Sequence, residues 1–349
     1  MVQNIWRWVG DEAILTGFLS GVPTVVLLAI IAVCILFLSK GADWMIDGVV
    51  QLARRTGLPK IVIGATVISL GTTAPEAFVS VMAAFMGNAG LALGNGVGSI
   101  IADTGLIFGL TCLVTRVPVR RYILNRTGWV QVGVATLLVG IAIAKRLNNP
   151  DMPVLGRGVG VFFLILLAGY LGLTYLWARK GVDRYSIEPE DEATKTGAEI
   201  ITLLSWGLII GGLSLIIIAA RILVPAASEI ALRFGVPDDV IAATMVALGT
   251  SLPELMTALA AIKKGHPEIT VGNIVGADVL NCLFVIGAAA TARPLVIEPN
   301  FFRFHFPVML IILWSFRGFI SINRDKRFKK WQGAWLLTVY LVYLILQYI

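Results

Sequence analysis

Solid apolar stretches, separated by short polar or basic segments, run along almost the whole chain. They fall at about residues 22–39, 61–86, 91–114, 128–144, 158–178, 200–224, 239–262, 269–291, 304–320 and 332–349. Each approaches the roughly 20 residues that a helix needs to cross about 30 Å of hydrocarbon. The pattern predicts an all-α integral membrane protein with ten transmembrane helices. Membrane-spanning strands would instead alternate apolar and polar residues over about ten positions. The first and sixth stretches continue as amphipathic segments to about 54 and 234, which predicts two long, tilted helices.

Composition narrows the class. Of 349 residues, 57% are hydrophobic and 14% charged, and the mean hydropathy is +0.86. Soluble domains carry about 25% charged residues, so an ordinary cytosolic enzyme, a disordered chain and a secreted disulfide scaffold are excluded. The net charge of +7 does not point to nucleic acid, because the basic residues cluster between apolar runs, where they write membrane topology. Cys34, Cys112 and Cys282 lie inside apolar runs and read as small core residues. The N-terminus lacks a basic segment followed by a cleavable apolar stretch, so the first span is expected to stay in the mature protein. The loops after spans one, three, five, seven and nine hold 19 Lys and Arg, against seven on the other face. Those odd loops are expected to be cytoplasmic and both termini outside.

An internal repeat organises the chain. Residues 53–104 align without a gap to 231–282, at a constant offset of 178. LGTTAPE (70–76) matches LGTSLPE (248–254), and GNGVG (94–98) matches GNIVG (272–276). Between 71 and 104, ten of 34 positions are identical. A bias toward Leu and Ala does not produce joint matches at Pro, Glu, Asn and Gly. The expected organisation is a first five-helix repeat at 1–178, a cytoplasmic linker at 179–199 and a second repeat at 200–349. Five spans per repeat invert the second relative to the first, the design of secondary transporters whose site lies between the repeats near the midplane. The acidic patch Glu188, Glu190, Asp191 and Glu192 reads as a solvated linker, with a regulatory cation site as the other reading.

Four carboxylates sit near the middle of apolar runs: Glu76, Asp103, Glu254 and Asp278. An ionised carboxylate at a helix centre costs about 2.5–3.5 kcal/mol on insertion scales, which calls for a ligand that offsets it. Pro75 and Pro253 lack an amide proton, so the carbonyls of Gly71 and Gly249 lose their helical partners. Both helices are expected to break at mid-membrane, where irregular backbone survives only if buried or lining a cavity. The freed carbonyls around 69–71 and 247–249 join the hydroxyls of Thr72, Thr73, Thr250 and Ser251 and the carboxylates of Glu76 and Glu254. Hard oxygen donors without sulfur or imidazole suit Ca²⁺, Mg²⁺ or Na⁺. Thr73-x-x-Glu76 and Ser251-x-x-Glu254 also fit a capping box, in which the Glu serves its own helix start. Ser99 precedes Asp103 by one turn; Ala277 holds the matching position, with Asp278 beside it. Asn95 and Asn273 read either as ligands or as interhelical hydrogen-bond donors. His266 and His305 have no partner suggesting catalysis, and Asp43 and Asp47 read as interfacial or as lining an access path. GNGVG lacks the Lys and Ser/Thr of a phosphate loop, and no Ser–His pair or metal-hydrolase motif appears. An enzyme is therefore not expected.

Taken with their duplication, GTTAPE and GTSLPE and their GNxxG companions resemble the cation/Ca²⁺ exchanger superfamily, specifically its small prokaryotic Na⁺/Ca²⁺ exchangers. The resemblance spans about 60–115 and 238–292, which look like that family's two α-repeats. It implies two long tilted helices (spans one and six) sliding against an eight-helix core. It implies Glu76 and Glu254 as shared Ca²⁺/Na⁺ carboxylates, completed by Thr72, Thr73, Thr250 and Ser251 and by carbonyls near Ser69 and Ala247. Ser99 and the pair Asp103/Asn281 would contribute from spans three and eight. Two departures stand out. The family commonly has Asn at the Asp103 position and Asp at the Asn281 position, so the acid has changed sides; K⁺-dependent relatives use Asp at the latter. Ala277 replaces the usual Ser. The expected function is antiport of Ca²⁺ against Na⁺, with no cofactor beyond the transported ions. A Ca²⁺ (or other divalent)/H⁺ antiporter and a passive divalent-cation channel are the alternatives.

Overall fold

The computed structural model describes residues 17–56, 60–119, 121–182, 198–235, 251–323 and 327–346. Of the expected site residues, Thr250 and Ala247 lie outside this set, as do the acidic residues of the linker. The helices in chain order are α1 (Thr24–Thr56), α2 (Lys60–Thr72), α3 (Ala74–Phe85), α4 (Ala89–Val114), α5 (Arg121–Asn148), α6 (Arg157–Val182) and α7 (Ala198–Arg233). They continue with α8 (Leu252–Lys263), α9 (Pro267–Ala292), α10 (Phe301–Ile322) and α11 (Lys330–Leu346). Among the described residues, seven helices are long and apolar enough to cross a membrane, and the bent pair α2–α3 makes an eighth. α11 is apolar but shorter, and the expected seventh span begins among residues outside the described set.

The two long helices appear where the amphipathic extensions place them. α1 has 33 residues and α7 has 36. At 1.5 Å per residue each is about 50 Å long, well beyond the hydrocarbon thickness, so each tilts or protrudes. They pack along one another, and small residues allow it: a Cβ on Gly41 would come within 2.7 Å of the Gly212 carbonyl oxygen. Their outer faces carry exposed Val33, Leu36, Leu203 and Ile210, which suit lipid tails.

The other helices form a second body. α9 is its axis: 83% of its apolar window is buried, against 28% for α1. It touches α2 through Gly272 and Gly276, where added Cβ atoms would meet the Ile61 and Ala65 carbonyls. It also contacts α3, α5, α6 and α8. Phe108, Phe316 and Phe328 stack edge-on and face-on at the far side of the core.

The repeat recurs in the geometry. α3 (74–85) and α8 (252–263) have boundaries 178 residues apart, and Gly87 and Gly265, also 178 apart, both adopt positive φ (87° and 76°). Two loop pairings cross in a matching way. The segment between α5 and α6 pairs antiparallel with that between α9 and α10 (Val154↔Val296, Leu155↔Leu295). The segment between α4 and α5 bridges that between α10 and α11 (Pro118↔Arg327).

Candidate cation site

Pro75 produces the expected break. α2 ends at Thr72, Thr73 forms a turn, and α3 starts at Ala74 with its axis bent by 40°. The Thr73 amide still donates to the Ser69 carbonyl (2.9 Å). α8 likewise opens at Leu252 after a turn at Ser251, with Pro253 in its first turn. Glu76 and Glu254 thus stand in equivalent first turns. Neither Thr73 nor Ser251 caps its helix with its side chain, so the capping-box reading is not realised.

Both glutamates are 1% exposed, as are Asp103 and Asp278. Among the described residues, none of the four forms an ion pair. Glu76 lies within electrostatic reach of Glu254 and Asp103, and Asp103 within reach of Glu254 and Asp278. The Thr72 and Thr73 hydroxyls face the Glu254 carboxylate, although no contact to its oxygens has hydrogen-bond geometry. The break in α2–α3 therefore presents its hydroxyls to the acid of α8. Both carboxylate oxygens of Glu76, Glu254 and Asp103 are buried without a hydrogen-bond partner, as are Thr73 Oγ1, Ser251 Oγ and Asn281 Oδ1. Native interiors pair nearly all such atoms. Orphans that are oxygen acceptors fit a hard cation.

Among the described residues, no three His, Cys, Asp or Glu side chains converge as a metal cluster. A cation here needs neutral oxygens as well, which is the mixed donor set read from the sequence. Ser69 (0% exposed) and Ser99 (4%) are buried alongside. Thr72 Oγ1 donates to the Ser69 carbonyl (3.4 Å) and to Asn273 Oδ1 (3.5 Å), tying α2 to α9. Asn95 acts as an interhelical donor: its Nδ2 bonds the Glu76 carbonyl (3.0 Å) and Ser80 Oγ (2.9 Å), holding α4 against the turn that carries Glu76.

π-Helical turns, rare and frequent at functional sites, mark the aspartate positions. α4 widens at Ala102–Phe108, which contains Asp103, and α9 at Asn281–Val285, which starts at its counterpart Asn281. α2 widens at Gly64–Ile68, immediately before Ser69. The sequence reading also missed the surroundings of Asp278. Thr104 Oγ1 and Gln131 Nε2 both donate to its Oδ2 at 2.5 Å. Gln131 is a lone amide inside an otherwise apolar run, which was its only signal.

Outside the site, Asp43 and Asp47 pair with Lys263 (3.7 Å) and Lys264 (2.6 Å). His266 contacts Lys60 (3.1 Å) and His305 contacts the Tyr343 hydroxyl (3.0 Å). The three cysteines are free and buried.

The chain matches the family described as sodium/calcium exchanger protein over residues 26–176 and 204–349. It is 31% identical over 324 residues to the inner membrane protein YrbG of Escherichia coli (strain K12), covering 92% of this chain and 96% of that protein. It is 29% identical to the sodium/calcium exchanger MaX1 of Methanosarcina acetivorans, covering 89% and 95%. Its fold is similar to that of the sodium-calcium exchanger NCX_Mj soaked with 2.5 mM Na⁺ and 10 mM Sr²⁺. The TM-score is 0.76 at 27% identity, covering 93% of this chain and 99% of that one.

Proposed function

Because the chain belongs to the sodium/calcium exchanger family, we propose that this multi-pass membrane protein moves Ca²⁺ out of the cell in exchange for Na⁺ entering down its gradient. The observation that carries the reading is the pair Glu76/Glu254. Two buried carboxylates stand in equivalent helix starts, without ion-pair partners among the described residues and with hydroxyls facing one of them.

In this reading Ca²⁺ and Na⁺ compete for one cage. Glu76 and Glu254 supply charge, and Thr72, Thr73, Thr250 and Ser251 supply hydroxyl oxygens. Carbonyls near Ser69 and Ala247 and the polar groups of Ser99, Asp103 and Asn281 complete it. Breaking a helix at the cage turns the C-terminal carbonyls of α2, the negative end of its dipole, toward the ion. Empty carboxylates strongly resist transfer into low dielectric. The cage therefore changes sides only when cations neutralise it, which enforces exchange and blocks leak. The moving element is the α1–α7 pair, which crosses at Gly41/Gly212 and touches the break: Leu213 on α7 lies where a Cβ on Gly71 would be. The chain is read as ten spans in two inverted five-helix repeats with both termini outside. The boundaries recurring at 178 residues and the crossed loop pairings support it.

Competition is testable at equilibrium. Ca²⁺ titrated calorimetrically into the purified protein should bind with an apparent Kd that rises as NaCl replaces choline chloride. An affinity indifferent to Na⁺ would remove the shared cage and favour proton coupling.

A further inference from the structure

Resting on the exchange reading above, we propose that Arg233, the last residue of α7, is a positioning residue that clamps α7 to the start of α1 and fixes the register between them. Its guanidinium joins the two helices through four hydrogen bonds. Nε donates to Glu229 Oε1 (2.9 Å), one turn back on α7. Nη1 donates to Thr24 Oγ1 (2.8 Å), at the first residue of α1. Nη2 donates to the carbonyls of Ser20 (3.0 Å) and Val22 (2.7 Å), in the turn that leads into α1. A planar guanidinium fits such a set of acceptors in one arrangement, which a flexible ammonium does not.

Below the clamp the helices meet in a repeating register. A Cβ on Gly41 would lie 2.7 Å from the Gly212 carbonyl oxygen, and one on Gly48 2.6 Å from the Ser205 carbonyl oxygen. Seven residues forward on α1 thus match seven residues back on α7. Fourteen residues the other way lead to Leu27 and Ala226, which share a buried apolar cluster. Contacts at heptad spacing keep one seam facing its partner. Slipping by one residue would drive side chains onto those backbone oxygens. Ser205 Oγ also donates to Gln51 Oε1 (3.2 Å), a polar tie toward the other end. Gln51 and Glu229 are equivalent in the repeat, as are Arg55 and Arg233, but only the second copy places an acid one turn before its arginine.

The register bears on the cage because both helices touch it. Leu213 of α7 lies where a Cβ on Gly71 would be, against the break that leads to Glu76. Leu252 and Met256, on either side of Glu254, pack on the apolar cluster that α1 and α7 share. An α1 that shifted without α7 would change the contacts around Glu254 while Leu213 stayed on the break. Clamped in one register, the pair changes both at once. The Arg233 side chain is 28% exposed, so the clamp adds little to stability; its effect is on movement.

The test is Na⁺-driven Ca²⁺ exchange in proteoliposomes, with Ca²⁺ affinity measured in parallel. Arg233→Gln should keep its Ca²⁺ affinity and exchange about tenfold more slowly, the loss of rate without loss of ground-state binding. Thr24→Cys/Arg233→Cys should be equally slow and should recover when a short bis-methanethiosulfonate reagent bridges the two thiols; the native cysteines are buried. A residue needed only for folding would not be replaced by a tie added afterwards. Thr24→Val removes one acceptor, keeps Arg233 and should slow exchange about two- to fivefold; it decides the matter if the arginine variants fail to fold. Wild-type rates in Arg233→Gln or Thr24→Val, a loss of Ca²⁺ affinity equal to the loss of rate, or no recovery on bridging would overturn the proposal. Failure of the exchange reading looks different: the wild type itself would then show no Ca²⁺ uptake in response to internal Na⁺.

Discussion

Lys264, just past the end of α8, reaches Asp47 on α1 at 2.6 Å and also donates to the Asp43 carbonyl at 2.9 Å. The neighbouring Lys263 pairs with Asp43 at 3.7 Å. The contact ties a long helix to the core at one end of the molecule. The positions 178 residues away are Phe85, Met86, Arg221 and Pro225, and Arg221 on α7 sits over the Phe78 ring (5.6 Å).

If the long helices slide as proposed, cutting this tie should change the balance between the two access states. Exposed ion pairs contribute about 0.2–1 kcal/mol, so Lys264→Met is expected to shift that equilibrium by up to about fivefold. Labelling of single cysteines placed along α1 from either side of a proteoliposome reads the shift. Identical labelling in the variant and the parent would show that the pair does not bear on movement.

Glu76→Gln and Glu254→Gln each remove one charge from the cage and keep the side-chain shape. Losing one partner of a buried charge pair costs about 2–5 kcal/mol, so Ca²⁺ binding should fall by about thirtyfold or more. Both variants should elute as folded protein, because removing an unpaired buried charge does not harm the apo fold. Normal Ca²⁺ affinity in Glu254→Gln would exclude the carboxylate from the site.

Pro75→Ala restores an amide that can bond the Gly71 carbonyl. The 40° bend between α2 and α3 should relax, while thermal stability should change little, because Pro75 sits in the first turn of α3, where proline is tolerated. Exchange should slow as the hydroxyls of Thr72 and Thr73 turn from Glu254. A variant with wild-type turnover would make the break dispensable.

Gly212→Val tests the crossing of the long helices. A side chain there meets the Gly41 carbonyl and Met45, and overpacking costs about 1–3 kcal/mol. Transport should be impaired, while Ca²⁺ affinity, set by α2–α3, α4, α8 and α9, should stay within a factor of about two. Loss of Ca²⁺ binding together with transport would place this crossing in the cage.

The buried carboxylates of the candidate site were legible because placing a carboxylate in an apolar run is costly, and repeating that at equivalent positions is not accidental. Pro75 announced its break through a missing amide, and the amphipathic tails after the first and sixth runs announced α1 and α7. The π turns at Asp103 and Asn281 were not legible. An i→i+5 hydrogen bond depends on how neighbouring helices pack, not on local composition. Asp278 lies in the regular stretch before its π turn; its facing follows from Gly272 and Gly276 packing on α2, a contact between helices that residue spacing alone does not show. Gln131 was hidden for a simpler reason: one amide in an apolar helix carries no pattern, and only the chain's folding brings it to Asp278, 147 positions further along.

The central claim is coupled exchange, and uptake of ⁴⁵Ca²⁺ into proteoliposomes tests it most directly. Vesicles loaded with NaCl and vesicles loaded with choline chloride, at equal pH on both sides, would be diluted into Na⁺-free medium. The account predicts uptake only where Na⁺ is inside. Equal uptake in both sets would contradict it and leave proton coupling or passive conduction to explain the buried carboxylates.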